Sequence, residues 1–327
     1  MIDTNDSEFL SRVEGADLKA KICDAKTAAA MIQPGDILGI SGFTPCGYPK
    51  ITMHELAERM KETPFQVDVW TGASTGSQID SELIAVNGVR VRMPYQTNGN
   101  LRKAINAGAL DYFDLHLSHV AQQIRAGFFT NAKGERVTGP DVAVVEVCKI
   151  GPNGELYTTT AIGNSPVFVD TAKKVIVEVN TTQPLALVGM ADIYMRKNPP
   201  HCEPIPITSA GDRVGTPYIP CDPAKIIAIV PCDLPDVTRA LAPLDDDAEA
   251  MGNNLIDFLK NEVKHGRLPE NLLPLQSGVG NVANAVIHGL VESDFKNLSV
   301  YTEVIQDGMF DLIDKDKIDM ISGTSLS

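Results

Sequence analysis

The sequence of 327 residues lacks the short motifs that usually assign a protein to a class at once. Its six cysteines and six histidines form no C-x-x-C pair and no H-x-x-x-H pair, which argues against the common zinc and redox motifs. His116 and His119 are three residues apart, but no third ligand candidate is near them, so we expect no metal. No apolar run reaches the ~18 residues that cross a bilayer, and no internal repeat is present.

Basic residues are also in deficit, because 28 lysines and arginines stand against 42 acidic residues, a formal net charge of −14. This balance argues against nucleic acid or an anionic membrane as a partner. The first residues are acidic and polar, so a secretory leader is not expected. We therefore expect a cytoplasmic protein in a reducing setting, with thiols that are mostly buried and inert.

What the sequence does contain is a series of short, almost continuously apolar segments, which are typical of parallel strands buried on both faces. They lie at 37–40, 67–70, 142–148 and 174–180. Glu178 interrupts the last of them, and an acid in that position is either part of a site or paired inside the protein. The length suggests two domains, and the segments predict an α/β fold.

Several further elements are predicted from composition. Helices are expected over 3–15 and over 17–31, with Asp17 as the cap of the second. Residues 113–119 are expected to form a strand, with one of the two histidines near its end buried. The acidic run 245–247 precedes a predicted helix over 248–264, and carboxylates at a helix N-terminus suit the helix dipole without a metal.

Prolines cluster between residues 195 and 224, which predicts an extended crossover between two domains. We therefore expect a first domain over residues 1–210, a linker over 211–224 and a second domain over 225–327. The apolar segment 225–230 is expected to open the second α/β unit. Arg213 lies in the crossover, where an ordinary surface ion pair is favoured over contact with a ligand carboxylate.

The stretch around which the second domain is organised reads Gly278-Val-Gly-Asn-Val-Ala283, followed about twenty residues later by Glu303. The two glycines allow a sharp turn close to a ligand, and the helix that follows offers unpaired N–H groups. Taken alone, the pattern is a variant of the dinucleotide fingerprint, with Glu303 at the place of the ribose-binding acid. An NAD(P)-dependent enzyme is therefore one hypothesis.

The residues around Glu303 favour a different hypothesis. The segments SGFTPCGYPK (41–50), RVGTPYIP (213–220), SGVGNVANAV (277–286) and YTEVIQDGMFD (301–311) together resemble the acetyl-CoA hydrolase/CoA-transferase family, in particular its succinyl-CoA:acetate type. The resemblance implies two open α/β/α domains with mostly parallel sheets. Family members are longer, so the second domain is expected to be incomplete and the activity of the chain as given is in question.

The resemblance also implies a mechanism. Glu303 would be the nucleophile, forming an acyl-glutamyl anhydride and then a glutamyl-CoA thioester. The backbone N–H of Val279 would stabilise the oxyanion. The residues expected to contact CoA are Gly278, Val279, Gly280, Asn281 and Val282, and those of a substrate loop are Ser41, Gly42, Phe43 and Thr44.

Coenzyme A and acyl-CoA are expected as substrates beside small carboxylates, with no permanently bound cofactor, and the chain is expected to work as a homodimer. Three alternatives to CoA transfer stay open. The same site can hydrolyse acetyl-CoA if water has better access to it, the glycine turn can bind NAD(P), or the chain can be a truncated protein without catalytic activity.

Overall fold

The computed structural model describes residues 3–237 and 244–326, which divide into two compact units. Residues 3–205 and 214–237 belong to the first unit, and residues 206–213 and 244–326 belong to the second. Within the described residues, no helix combines the length and the apolar character needed to cross a membrane.

The first unit alternates strands and helices. Its strands, in chain order, are β1 (Ile37–Ile40), β2 (Val67–Thr71), β3 (Val89–Met93), β4 (Asp111–Tyr112), β5 (Phe129–Thr130), β6 (Arg136–Val137), β7 (Val142–Ile150), β8 (Glu155–Thr158), β9 (Lys174–Asn180), β10 (Ile219–Pro220) and β11 (Ile226–Cys232). Its helices are α1 (Ser7–Ser11), α2 (Ala16–Lys19), α3 (Ala25–Ala30), α4 (Ile51–Glu62), α5 (Ser77–Ala85), α6 (Gly99–Asn106), α7 (Leu117–Arg125) and α8 (Ser165–Thr171).

Nine of these strands form one sheet. Seven run parallel in the order β4-β3-β2-β1-β7-β9-β11. The other two are antiparallel: β8 pairs with the last residues of β7, and β10 pairs with β8. The chain moves outward from β1 in one direction and from β7 in the other. The boundary between β1 and β7 is therefore the topological switch point, and in open α/β sheets ligands bind at the carboxyl ends of the strands there.

Alternate residues of the central strands pack into two separate cores, one on each face of the sheet, because side chains of a strand point to opposite faces. In β7, Ala143 and Val145 join the core formed with α1, α7 and α8, whereas Val142 and Val144 join the core formed with α3, α4 and α5. Both faces are thus covered. This explains why the strands are apolar throughout and confirms the α/β class expected from the sequence.

The N-terminal helices are shorter than predicted. Val13 forms a parallel bridge to Ile150, and Ile22 forms one to Ile229, so the chain around both residues is extended and the helical runs break there. The predicted helix 17–31 is therefore divided into α2 and α3. The cap of α3 is Asp24, whose carboxylate accepts the N–H of Thr27 at 2.6 Å, and the prediction that Asp17 caps the helix is wrong.

The sequence suggested that the segment 225–230 opens the second unit, and this prediction is wrong. The segment forms most of β11, which pairs in parallel with β9 from Ile226 to Cys232 and is largely buried in the first sheet. The prolines of the crossover instead precede the last strand of the first unit. A short apolar strand carries no information about which sheet it joins, so this assignment was decided by tertiary pairing.

The predicted strand 113–119 is also wrong. Helix α7 begins at Leu117 with His116 at its N-cap, and the two histidines lie edge to face with 5.6 Å between their ring centroids. Both side chains are exposed, so neither is the buried partner that we expected. The apolar face of α7 is provided by Val120 and Ile124, at a helical spacing that begins only after the histidines.

In its described residues, the second unit contains two pairs of parallel strands and three helices. Its strands are β12 (Leu298–Tyr301), β13 (Val304–Ile305), β14 (Ile318–Ser322) and β15 (Ser325–Leu326), and its helices are α9 (Asp246–Lys264), α10 (Asn281–Glu292) and α11 (Asp307–Asp314). The pair β12–β14 is parallel, as is the pair β13–β15, and Leu275 adds a parallel bridge to Val300.

The helix-end interpretation of the acidic run is confirmed. Asp245 is the N-cap of α9 and accepts the N–H of Ala248 at 2.7 Å, while Asp246 and Asp247 lie in the first turn. Helices α9 and α10 approach closely because Gly252 has no side chain, and a Cβ there would lie 2.7 Å from the carbonyl oxygen of Ala285.

The close packing of α8 on β1 predicts the effect of a single methyl group. A Cβ on Gly39 would lie 2.7 Å from the ring of Phe168, which is fully buried. We expect Gly39→Ala to lower the free energy of unfolding by about 1–3 kcal/mol through overpacking, as measured by urea denaturation. Gly99→Ala is the matched control, because a Cβ there meets no atom within 4 Å, and its stability should change by less than ~0.5 kcal/mol. Equal effects of the two substitutions would contradict this account.

Candidate active site

The glycine turn and the Glu303 segment are neighbours in the second unit. Leu275 donates its N–H to the carbonyl of Ser299 at 2.8 Å and accepts the N–H of Tyr301 at 2.9 Å, so the two chain segments run side by side. The chain then turns through residues 276–280 into α10. Gly280, at φ +145°, is the N-cap of α10, and a backbone conformation of this kind is one that glycine readily adopts.

Polar contacts hold the bend against the segment that carries the acid. The hydroxyl of Thr302, next to Glu303, donates to the carbonyl of Ser277 at 3.0 Å, and the N–H of Ser277 points back to this hydroxyl at 3.4 Å. The amide nitrogen of Gln306 donates to the carbonyl of Gly278 at 2.6 Å. Thr302 and Gln306 are buried, so these bonds fix the two segments relative to each other.

The predicted site residues occupy the exposed side of this arrangement. Among the residues that the structure describes, the N–H of Val279 has no hydrogen-bond partner, and its side chain is 61% exposed. Asn281 and Val282 form the first turn of α10, where the backbone N–H groups have no partner four residues earlier in the helix. The side chain of Glu303 is exposed, and its carbonyl accepts the N–H groups of Thr324 and Ser325. The segment with the exposed Glu303 carboxylate is thus hydrogen-bonded to the bend that contains the Val279 N–H.

The predicted substrate loop belongs to the first unit, directly after β1 at the topological switch point. Ser41 is buried; its hydroxyl donates to the carbonyl of Gly47 at 2.8 Å and accepts the N–H of Glu146 at 2.9 Å. Gly42 has φ +114°, and Thr44 has φ +53°. Phe43 is buried. The side chain of Ser41 therefore joins the loop to β7.

Beside this loop lies a buried charge cluster, here meaning Lys50, Glu146, Glu178 and Asp236, which the sequence analysis missed as a group. The ammonium of Lys50 contacts the carboxylates of both Glu146 and Asp236, the latter at 2.9 Å. All three side chains are at most 7% exposed. One cation thus forms ion pairs with two buried carboxylates.

Glu178 has a separate role in the cluster. Its two oxygens accept the N–H groups of Lys50, Ile51 and Thr52 at 2.6–3.2 Å and the hydroxyl of Thr52 at 2.9 Å. These donors form the N-terminus of α4, which attracts negative charge. Of the two possibilities left open for this mid-strand acid, the structure selects internal pairing.

One group of three possible metal ligands occurs in the described part of the chain, formed by Glu146, Glu178 and Cys232. The oxygens of Glu178 are already used by α4, and burial raises the pKa of the Cys232 thiol far above its ordinary value. A protonated thiol is a poor ligand. The three side chains pack as part of the core.

Burial also determines the protonation of the cluster. It raises the pKa of Glu146 to about 7, which the adjacent Lys50 ammonium opposes and the Asp236 carboxylate reinforces. Burial alone would lower the pKa of Lys50, but the charges of Glu146 and Asp236 raise it above its ordinary value. Lys50 is therefore charged at neutral pH, while Glu146 titrates there.

A sequence signal for part of this cluster exists. Each of the two apolar strands β7 and β9 contains one acid as its fifth residue, and the parallel register places Glu146 directly beside Glu178. Two adjacent buried acids require compensating donors. That Lys50 and Asp236 supply them could not be deduced, because they are distant in sequence.

Solved structures define the class of fold. RipA from Yersinia pestis superposes with a TM-score of 0.67 at 17% identity, covering 95% of this chain and 64% of that one. A 4-hydroxybutyrate CoA-transferase from Porphyromonas gingivalis superposes with a TM-score of 0.60 at 18% identity, covering 94% and 62%. The fold is therefore that of CoA-transferase-type α/β proteins, as the resemblance implied.

Sequence comparison identifies the family. The model described as "Acetyl-CoA hydrolase/transferase N-terminal domain" matches residues 9–231, and the chain belongs to the acetyl-CoA hydrolase/transferase family. It is 49% identical over 318 residues to a succinyl-CoA:acetate CoA-transferase from Clostridium kluyveri, covering 97% of this chain and 58% of the relative. It is 41% identical over 300 residues to an acetyl-CoA hydrolase from Yarrowia lipolytica, covering 90% and 57%.

A third relative is a propanoyl-CoA:succinate CoA transferase from Escherichia coli, 40% identical over 309 residues, with 93% of this chain and 61% of the relative covered. The chain thus spans about three fifths of the length of the curated relatives that it matches. The family membership favours the CoA-transferase interpretation of the glycine turn over the dinucleotide interpretation.

The pKa of Glu146 predicts how stability depends on pH. The pKa of Glu146 is about 7 in the folded state and 4.5 ordinarily, so the folded protein binds a proton that the unfolded chain has already lost between these pH values. The contribution of this proton to the free energy of unfolding is complete below pH ~4.5 and is lost as the pH rises to ~7. Glu146→Gln should abolish this loss, which is on the order of 3 kcal/mol for one buried carboxyl. Urea denaturation of both proteins from pH 5 to pH 8 measures it, and parallel stability curves would contradict the assignment.

Proposed function

We propose that the chain carries the nucleophile of a CoA-transferase that moves CoA between an acyl-CoA and a small carboxylate. The acyl groups are of the acetyl, succinyl or propionyl type, in keeping with the names of the relatives. The observation that supports the proposal is the set of hydrogen bonds from Thr302 and Gln306 to Ser277 and Gly278, because they join the segment that contains Glu303 to the glycine bend that contains Val279.

The chemistry begins with attack of the Glu303 carboxylate on the carbonyl carbon of the acyl-CoA. The C–S bond breaks, and CoA leaves as a thiolate from an acyl-glutamyl anhydride. The thiolate then attacks the glutamyl carbonyl and releases the first acid as a carboxylate, which leaves a glutamyl-CoA thioester. A second carboxylate reverses the sequence, so the thioester bond is conserved throughout.

Each attack creates a tetrahedral oxyanion, which needs donors that are already in position. The N–H of Val279 is our candidate, since the structure pairs it with no other acceptor among the described residues. The bend residues Gly278 and Gly280, with Asn281 and Val282 in the helix that follows, are proposed to contact CoA. No tightly held cofactor is required by these steps.

Residues 41–44 are proposed to form a substrate loop, which the position of the loop at the switch point supports. A homodimeric assembly, which the resemblance implies, and a cytoplasmic setting also form part of the proposal. The chain spans only three fifths of its relatives, so the activity of this length of chain is itself proposed.

Hydrolysis of acyl-CoA is the second candidate, because a relative at 41% identity is named an acetyl-CoA hydrolase and the Glu303 side chain is exposed. Water that reaches the anhydride would divert the reaction. The two activities are separated by measuring CoA release from acetyl-CoA with and without succinate. Transfer predicts formation of succinyl-CoA, whereas hydrolysis predicts free CoA in both cases.

The role of Glu303 can be tested by trapping. After incubation with acetyl-CoA, borohydride should reduce the glutamyl-CoA thioester to a primary alcohol at residue 303, which peptide mass spectrometry detects. Glu303→Ala should give no alcohol and no turnover. Asp311→Asn, which alters another exposed acid of the same segment, should trap normally. Full turnover by Glu303→Ala would exclude the covalent route.

The role of the Val279 amide can be tested with a substitution that removes the N–H and a control that changes only the side chain. Val279→Pro lacks this donor, and we expect kcat to fall about 10²–10³-fold with a smaller effect on the KM for acyl-CoA. Val279→Ala keeps the N–H and should retain kcat within a few-fold. If alanine and proline at this position lower kcat equally, the amide is not the oxyanion donor.

A further inference from the structure

The peptide group between Gly278 and Val279 has its two ends in different surroundings. Its carbonyl oxygen accepts the side-chain amide of Gln306 at 2.6 Å and the hydroxyl of Ser277 at 3.3 Å. Its N–H, which belongs to Val279, has no hydrogen-bond partner among the residues that the structure describes. One end of this peptide group is therefore held by side chains, and the other end is available to a ligand.

The geometry of a trans peptide links these two ends. The carbonyl and the N–H lie in one plane and point in opposite directions, and rotation about the bond between them is strongly hindered. The cis peptide bonds of the described residues precede Pro94 and Pro200, so the bond between Gly278 and Val279 is trans. A donor that fixes the direction of the Gly278 carbonyl therefore also fixes the direction of the Val279 N–H.

Gln306 is suited to this task because burial restricts its side chain. It is 1% exposed, and its amide nitrogen must be the donor, since turning the amide round would place two oxygens face to face. Gln306 is the N-cap residue of α11, yet its side chain makes no capping bond and reaches the bend instead. Its own oxygen has no partner among the described residues. The polar contacts of this side chain are thus with the bend and not with its own helix.

The hydrogen bond from Gln306 also makes the N–H of Val279 a stronger donor. An amide that donates to a carbonyl oxygen draws electron density toward that oxygen, and peptide resonance extends this effect to the nitrogen. Hydrogen bonds in such a chain strengthen one another by about 10–30% each. The N–H of Val279 is therefore both directed and polarised by the contact at the other end of its peptide group.

We propose that Gln306 is a positioning residue for the oxyanion donor: it aligns and polarises the 278–279 peptide group, so that the N–H of Val279 is fixed before a tetrahedral intermediate forms. This inference rests on the proposed function, in which that N–H stabilises the oxyanion. Donors that are already in position need no rearrangement as charge develops. Because Gln306 follows Glu303 by three residues, the segment that contains the proposed nucleophile also holds the proposed donor.

Kinetics of two variants of the full chain test this role. Gln306→Met removes the donor with little change of volume, and Gln306→Asn has an amide that is one methylene further from Gly278. We expect kcat to fall about ten-fold in both, which is the effect of one hydrogen bond. The KM for acetyl-CoA should stay within about two-fold of the parent value, because the donor acts on the transition state.

The asparagine variant also separates positioning from stability. Asparagine is a favourable N-cap residue, so Gln306→Asn should keep the melting temperature of the parent chain within about 4 °C although its kcat falls. If kcat falls only in a variant that also melts earlier, or if KM rises as far as kcat falls, the contact stabilises the fold and the positioning role is wrong.

A double-mutant cycle connects Gln306 to the amide through which it acts. In a Val279→Pro background the N–H is absent, so Gln306→Met should lower kcat further by less than about two-fold. A further loss of about ten-fold in this background would overturn the inference. Gln122→Met makes the same exchange at an exposed position of the first unit and should leave kcat within about two-fold of the parent value.

A spectroscopic measurement tests the hydrogen bond without turnover. The sequence contains two Gly-Val pairs, at 88–89 and 278–279, so labelling of glycine carbonyls with ¹³C and of valine nitrogens with ¹⁵N gives two correlation signals. Gln306→Met should shift the 278–279 signal in both dimensions, because the carbonyl loses its shorter hydrogen bond. The 88–89 signal, whose carbonyl accepts the N–H of Val67 at 2.9 Å, should stay in place. An unchanged 278–279 signal would contradict the inference.

These outcomes are distinguishable from a failure of the proposed function. If borohydride traps nothing at Glu303 while Gln306→Met still shifts the 278–279 signal, the transferase chemistry is wrong and the alignment of the peptide group by Gln306 stands. If trapping is normal while kcat and the signal are insensitive to Gln306, the chemistry stands and the positioning role is wrong.

Discussion

Two carboxylates side by side in adjacent buried strands are the constraint around which the carboxyl edge of the first sheet is built. Glu146 and Glu178 lie in register in β7 and β9, where water cannot solvate them. Buried carboxylates persist only with donors or a bound proton. The N-terminus of α4 satisfies one, and Lys50 with its neighbours satisfies the other. The start of α4 and the loop before it are therefore fixed by the sheet.

The same constraint explains how the loops of this edge are positioned. Lys50 is the N-cap residue of α4. Its backbone N–H donates to Glu178, while its side-chain ammonium forms ion pairs with Glu146 and Asp236. A single residue thus couples the loop after β1 to the segment after β11. Because the loop after β1 contains the proposed substrate residues, their geometry depends on charges that make no contact with a substrate in the proposed reaction.

The second unit uses neutral contacts for a comparable purpose. A hydroxyl and an amide side chain, from Thr302 and Gln306, join the glycine bend to the acid-bearing segment. Among the described residues, these neutral contacts leave the N–H of Val279 and the carboxylate of Glu303 without a partner, whereas a nearby cation would pair with the carboxylate and weaken the nucleophile of the proposed reaction. This difference between the two units fits a structural role for the charge cluster and the chemical role proposed for the bend.

The sequence by itself determined the class of fold and the family. Apolar segments such as 37–40 and 142–148 predict strands that are buried on both faces, and the acidic run 245–247 favours a helix start, because these properties depend on near neighbours in the chain. Tertiary structure alone decided that β11 pairs with β9, that Ile22 breaks a helix by bridging to Ile229, and that Asp236 meets Lys50. Each of these joins residues distant in sequence, whose pairing leaves no local pattern.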